Sequence, residues 1–398
     1  MPRPMQDLPL IRLLPGRDRR AKAGHPWIFS NEVAMTPATR AIPPGAAVRV
    51  EGDDGFRHGV HHFNPHSLIA ARRLSRDPAA VIDDAFWQAR IAEALALRTR
   101  LFPTPHYRLA HAEADGLPGL ILDRYGDLVA LQANTAGMEA ATPAILRALD
   151  ALIAPRAVVA RNEASVRALE GLPEVTALLR GEEATGSVEE GGVTFTVDPL
   201  GGQKTGWFFD QRENRARVAH LSRGETVLDA FCHTGGFGLQ AAAAGAASVT
   251  LLDRSEHALA TAMETARRNG LEERTETVRG EAMETLERMG QQGTRFGVVV
   301  VDPPAFAKSR KDIPQAIRAY SRLARLAAGL VVPGGILFIA SCSHHVPAGE
   351  FTDTVIAGLQ RARRDARILA ISGAGPDHPI HPMLPESVYL KALTLQLS

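Results

Sequence analysis

The chain is predicted to be an α/β protein whose C-terminal half forms a doubly wound sheet, and three observations predict it. From residue 192 onward, short apolar runs alternate with helical stretches. The runs are continuous in Val, Ile and Leu rather than alternating with polar residues, the pattern of parallel strands buried on both faces. Several runs end in an acidic or small residue, where ligands of such sheets collect. Strands are expected over residues 226–231, 248–253, 276–279, 296–302 and 335–341. A helix over 255–269 is expected to close at Gly270 as a C-cap.

Two other patterns precede this one, as suits 398 residues, too many for one ordinary core. Residues 1–76 form a first, β-rich domain, with short strands over 8–14, 47–50, 56–62 and 68–74 and turn signals at Pro44-Gly45 and Asp53-Asp54-Gly55. Residues 77–190 form a central α+β domain, with helices over 83–101 and 142–152 and strands over 119–123, 128–133 and 157–161. Residues 181–190 are polar and read as a linker or hairpin tip. Residues 191–398 make up the sheet domain.

Composition narrows the function classes. The net charge is +1, with 45% hydrophobic and 22% charged residues, as in soluble globular proteins. Residues 1–76 hold twelve Lys+Arg against six Asp+Glu, and five histidines. A basic segment on a near-neutral chain fits a polyanion partner, or else a solvated face. Cys232 and Cys342 stand 110 positions apart, which argues against a zinc site or a disulfide framework, and no metal is expected. No leader-like apolar segment opens the chain, and its longest apolar stretch is broken by Pro333-Gly334-Gly335. A cytoplasmic protein without membrane attachment is expected.

The first strand of the sheet domain ends Leu228-Asp229-Ala230-Phe231 and runs into Cys232-His233-Thr234-Gly235-Gly236-Phe237-Gly238. Glycines there let backbone amides approach a ligand ahead of a helix, or merely let helix and strand pack tightly. The strict G-x-G-x-x-G of a nicotinamide site is missing. Asp229 would repel a pyrophosphate but suits the cationic end of S-adenosylmethionine. Asp253, 24 residues later, ends the second strand and can accept bonds from ribose hydroxyls. Glu281 follows the third and can meet an adenine amino group.

The fourth strand leads into Asp302-Pro303-Pro304-Ala305-Phe306. The prolines fix an extended ledge on which Asp302 can bond a base edge and Phe306 can stack. Such a ledge suits N-methylation of an amino group as well as other base chemistry. Cys342, in Ser341-Cys342-Ser343 after the fifth strand, separates the readings. A thiolate adding to C6 of a pyrimidine makes C5 nucleophilic enough to take a methyl group. A small buried cysteine at a strand end is the bland alternative. Cys232 lies on the methyl donor's side and reads as structural.

These features together resemble a known family, the 23S ribosomal RNA cytosine-C5 methyltransferases with an N-terminal PUA domain. The resemblance runs essentially the full length. It rests on Gly24-His25-Pro26-Trp27-Ile28-Phe29, Gly116-Leu117-Pro118-Gly119-Leu120 with Asp123-Arg124-Tyr125-Gly126-Asp127, and Gln203-Lys204-Thr205-Gly206 through Asp210-Gln211-Arg212. It continues through residues 229–237, 302–306 and 341–343 to Tyr389-Leu390-Lys391. It implies a PUA domain, a central domain and a Rossmann-like catalytic domain. It also implies cytosine-C5 methylation of 23S rRNA, free or in a large-subunit particle, with Cys342 as nucleophile and Asp302 on the ring near N3. Gln211, Asp229, Phe231, Gly235, Gly236, Phe237, Asp253, Glu281 and Asp302 would meet S-adenosylmethionine. Arg19, Arg20, Lys22, Lys204, Phe306 and Lys308 would meet RNA, while Trp27 reads first as packing. Gln203 and His233 depart from the usual His and Tyr, which puts the target nucleotide in doubt. A homodimer, an N-methyltransferase and an inactive RNA-binding fold stay open as alternatives.

Overall fold

The structure is a computed structural model and describes residues 7–201, 206–307 and 309–398. Lys204 and Lys308 therefore lie outside the described residues. The chain divides into two compact units. The first joins residues 1–187, 197–207 and 376–387, and the second joins 188–196, 208–375 and 388–398.

Two sheets build the first unit. One combines β1 (Leu10–Arg12), β2 (Trp27–Ile28), β3 (Ala46–Glu51), β4 (Arg57–Phe63) and β5 (Ala71–Ser75) in the order β1-β3-β4-β5-β2. Ile11, Leu13, Ile28, Val48, Val50 and Phe63 fill its core. Helices α1 (Arg19–Lys22) and α2 (Pro37–Arg40) lie in its connections.

The second sheet has β6 (His106–His111), β7 (Leu120–Tyr125), β8 (Leu128–Ala133), β9 (Ala157–Asn162) and β10 (Val175–Arg180) side by side. Helices α3 (Asp84–Leu101) and α4 (Ala136–Ile153) pack on it through Trp87, Ile91, Ile145 and Leu149. Asp83 caps α3 by accepting the Phe86 N–H, as Ncap aspartates do. Helix α4 begins earlier than the expected residue 142, because Thr135 is its cap and Pro143 lies inside it. The returning segment 376–387 is tied in by charge. Fully buried Arg98 donates to Asp115 and to the Asp377 carbonyl, and Asp377 Oδ2 accepts the Arg108 N–H at 3.0 Å.

At the passage between the units, the segment expected as a linker or hairpin tip is a hairpin. Its strands are β11 (Gly186–Glu190) and β12 (Val193–Val197), and Gly191 and Gly192 take φ of 61° and 79° at the turn.

The second unit holds the expected doubly wound sheet. Its strands are β13 (Thr226–Ala230), β14 (Ser248–Asp253), β15 (Thr275–Arg279), β16 (Phe296–Val301), β17 (Val331–Ser341), β18 (Ala366–Ser372) and β19 (Lys391–Leu397). Their order is β15-β14-β13-β16-β17-β19-β18. The first five run parallel, and the sheet is extended by two strands the sequence reading did not place, β19 antiparallel to β17 and β18 antiparallel to β19. Helices α5 (Arg212–Leu221), α6 (Gly236–Ala243), α7 (Glu256–Arg268), α8 (Ala282–Gln291), α9 (Ile313–Leu330) and α10 (Ala348–Arg361) alternate with the strands. Ser255 caps α7, whose Ala258, Leu259, Ala262 and Ala266 recur at helical spacing and are buried. Among the described residues no helix is long and apolar enough to cross a membrane.

Candidate active site

Parallel strands bring their carboxyl ends to one edge of a sheet. Along that edge, in strand order, stand Glu281, Asp253, Asp229, Asp302 and Cys342, each within two residues of the end of its strand. Five positions scattered through the sequence thus form one row.

Asp229 is its most buried acid, 1% exposed. One carboxylate oxygen accepts the Gly238 N–H at 2.8 Å, while the other is buried with no hydrogen-bond partner. Desolvation, with Asp302 and Asp253 nearby, pushes this carboxyl up to about 7. A half-paired buried carboxylate is completed by a cation, so the site fits the positively charged end of S-adenosylmethionine.

The turn after β13 is wound in the left-handed region at Phe231, His233 and Gly235, with φ of 63°, 50° and 81°. A phenylalanine there is strained, a condition found at ligand-gripping loops. Asp253 is fixed by the N–H groups of His233 and Ser255, each at 2.9 Å. The third glycine of the turn serves packing. A Cβ on Gly238 would lie 2.4 Å from Leu251 Cδ2, so α6 rests directly on β14. Phe237 is also buried, its ring 5.0 Å from that of Phe338. Phe231 is partly buried and packs on the same side of the sheet as α9, while Glu281 is exposed just before α8.

A chain of hydrogen bonds sets Asp302. Its Oδ2 accepts from Gln211 Nε2 at 2.9 Å, Gln211 Oε1 accepts from Asn214 at 2.6 Å, and Asn214 Oδ1 accepts from Ser372 at 2.7 Å. Phe306 lies against Tyr320, with ring centroids 4.7 Å apart.

Cys342 is half-buried between two pinned serines. The Tyr320 hydroxyl bonds Ser341 Oγ and Ser343 Oγ, each at 2.8 Å. Ser343 Oγ also accepts the Ala307 N–H at 3.2 Å, which ties the turn to the proline ledge. Lys391 Nζ donates to the Ser343 carbonyl at 2.6 Å. Tyr389, whose hydroxyl donates to Asp210 at 2.6 Å, stacks on His344. Cys232 is unsuited to attack, because burial, Asp229 and Asp253 raise its thiol well above the usual range. The roles of Tyr320, Asn214 and Ser372 escaped the sequence reading, since they act through contacts distant in sequence.

The basic residues of the first unit are partly engaged. Arg19 is exposed. Arg20 pairs with Glu32 at 3.2 Å and covers the Phe29 ring, and Lys22 bonds Asp18 and Asp54, each at 2.7 Å. Trp27 is half-buried and donates to Glu113 at 2.7 Å under the Arg72 guanidinium, which agrees with a packing role.

Comparison with known proteins places these features. Residues 140–393 match the S-adenosylmethionine-dependent methyltransferase family, and residues 11–76 match a PUA-like domain. The chain is 37% identical to ribosomal RNA large subunit methyltransferase I of Aeromonas hydrophila, over 97% of this chain and 98% of the relative. It is 36% identical to the protein of that name from Shewanella frigidimarina, over 97% of this chain and 99% of the relative. A crystal structure described as a methyltransferase complexed with SAH superposes with a TM-score of 0.82 at 18% identity, covering 98% of this chain and 99% of that one. A Streptococcus mutans protein assigned as a SAM-dependent methyltransferase gives 0.81 at 18% identity, covering 98% of this chain and 100% of that one. These two likenesses bear on the fold.

Proposed function

Because this chain belongs to the S-adenosylmethionine-dependent methyltransferases and carries an N-terminal PUA-like domain, we propose that it methylates C5 of a cytosine in large-subunit (23S) ribosomal RNA. The observation that carries the C5 reading is the thiol of Cys342, held on a pinned turn after β17, the strand next to β16, which leads into Asp302.

Cytosine C5 is a weak nucleophile. Attack of the Cys342 thiolate on C6 forms the C6–S bond and shifts the ring electrons so that C5 becomes enamine-like. S-adenosylmethionine, when bound, supplies an electrophilic methyl group. Once C5 carries the methyl group, its proton passes to solvent as the C6–S bond breaks, which restores the ring and returns the thiolate. Asp302, oriented by Gln211, holds the base edge while the nucleotide is turned out of its stack. Asp229, Asp253, Glu281 and the turn over residues 231–237 hold the cofactor, with Asp229 neutralising its cationic end. Arg19, Arg20 and Lys22, with Lys204 and Lys308, supply phosphate contacts. Phe306, partly exposed and packed on Tyr320, adds to the RNA contacts, and Cys342 rather than this ring separates C5 methylation from N-methylation of a base.

The test uses 5-fluorocytidine-substituted 23S rRNA with S-adenosylmethionine. Fluorine at C5 blocks the final elimination, so a denaturant-stable protein–RNA adduct is expected, and Cys342→Ala should abolish it. Methyl transfer to ordinary rRNA without any adduct would overturn the C5 reading.

A further inference from the structure

One buried cation in the second unit has no part in the chemistry described so far. Strands β17 and β19 pair antiparallel with Ser341 opposite Lys391. Lys391 thus starts across from the residue before Cys342, and its Nζ reaches the carbonyl of the residue after it, at 2.6 Å. The side chain spans the cysteine position. Its second bond goes to the Tyr389 carbonyl at 3.0 Å. Both acceptors are neutral, although Lys391 is only 7% exposed.

An ammonium has three N–H groups and is costly to bury unless an anion accompanies it. The titratable groups whose charge is felt at Lys391 or beside it are Cys342, His344, His345 and Tyr320. Burial and Lys391 itself push His344 toward its neutral form, and burial raises the Tyr320 hydroxyl. Of these residue types, a cysteine thiol is the one whose ordinary range lies close enough to neutral pH to supply an anion. Burial also lowers Lys391 to about 8, against which Cys342 acts in the opposite sense.

We propose that Lys391 is the positioning residue that keeps Cys342 as a thiolate at neutral pH, its ammonium reaching across from the neighbouring strand. The inference rests on the reading of Cys342 as nucleophile. The thiol gives its proton to solvent before the RNA arrives. Lys391, held by the Ser343 and Tyr389 carbonyls, keeps its own proton and stays beside the cysteine position both before the C6–S bond forms and after it breaks.

The experiment follows alkylation of Cys342 by iodoacetamide against pH, by peptide mass spectrometry on the full chain. The wild type should show a midpoint well below the ~8.5 of a free thiol. Lys391→Met and Lys391→Gln should raise that midpoint by at least about one pH unit, with a thiolate fraction at neutral pH smaller by about threefold or more, and Lys391→Arg should stay near the wild type. Buried Cys232 reports folding, since it is labelled only when the chain opens. A wild-type midpoint at or above that of a free thiol would overturn the proposal without recourse to any variant. So would identical midpoints in wild type and a folded neutral variant. The 5-fluorocytidine adduct is assayed in parallel. Its absence in the wild type would sink the C5 chemistry, while the alkylation profile still judges the Lys391–Cys342 pair.

Discussion

Replacing Asp229 by Asn should trade cofactor affinity for stability, with a pH dependence that identifies the cause. Burial moves this carboxyl from 3.8 to about 7. At about 1.4 kcal/mol per pH unit, the charged form costs the fold about 4 kcal/mol above pH 7. The sign follows from proton counting. Between pH 4 and 7 the native state holds a proton that the unfolded state has released, so stability falls as pH rises through that window and levels off above it. Asp229→Asn has no such proton. Its stability relative to the wild type should climb by about 4 kcal/mol from pH 4 to pH 8, on top of a constant offset of about 1–3 kcal/mol for the unpaired amide. Urea unfolding without cofactor at a series of pH values measures this. Calorimetry at pH 8 should show S-adenosylmethionine binding weakened about 30-fold or more, the cost of removing one partner of a buried charge pair. A stability difference that stays flat from pH 4 to pH 8, or unchanged binding, would refute the argument.

Further predictions concern other parts of the row. Cys342→Ala should eliminate methyl transfer and adduct formation, while Cys232→Ala retains the adduct, as gel shift under denaturing conditions will show. Gly238→Ala forces a Cβ to within 2.4 Å of Leu251 and 2.8 Å of Val249, so thermal unfolding should register a loss of about 1–3 kcal/mol. Tyr320→Phe removes the hydroxyl that joins Ser341 to Ser343 and leaves their oxygens short of a partner. A loss of about 1–3 kcal/mol is expected, with kcat falling more than KM changes, because it is the turn carrying Cys342 that loosens.

The sequence was most informative where one chemical type had to occupy a whole element. Strands β13, β14 and β16 were legible because burial on both faces demands unbroken Val and Leu, and because acids stand at their ends. Helix α7 was legible through Ser255 and its apolar spacing. Strand β6 was hidden because His106, Arg108 and His111 interrupt its apolar residues, and the Arg108 charge is met by Asp123 on the neighbouring strand, at 2.8 Å. Strand β18 was hidden because it lies at the sheet edge, with Ile368, Leu369 and Ile371 exposed and no clear alternation to read. The site divides in the same way. Asp229, Asp253, Asp302 and Cys342 follow from strand ends. The link between Lys391 and Cys342 depends on the antiparallel register of β17 and β19, which local pattern does not encode.

The return of residues 376–387 to the first unit has a consequence for how this protein can be cut, permuted or inherited. The chain passes between units at 187–188, 196–197, 207–208, 375–376 and 387–388. No single scission separates them. A fragment ending at residue 187 would lose Asp377 and leave Arg98, 0% exposed, without one of its acceptors. A catalytic fragment starting at residue 188 would carry the 376–387 strap with nothing to receive it. The two halves are therefore not interchangeable cassettes. An insertion or deletion near that strap is felt by both at once, so recombination has to exchange them together.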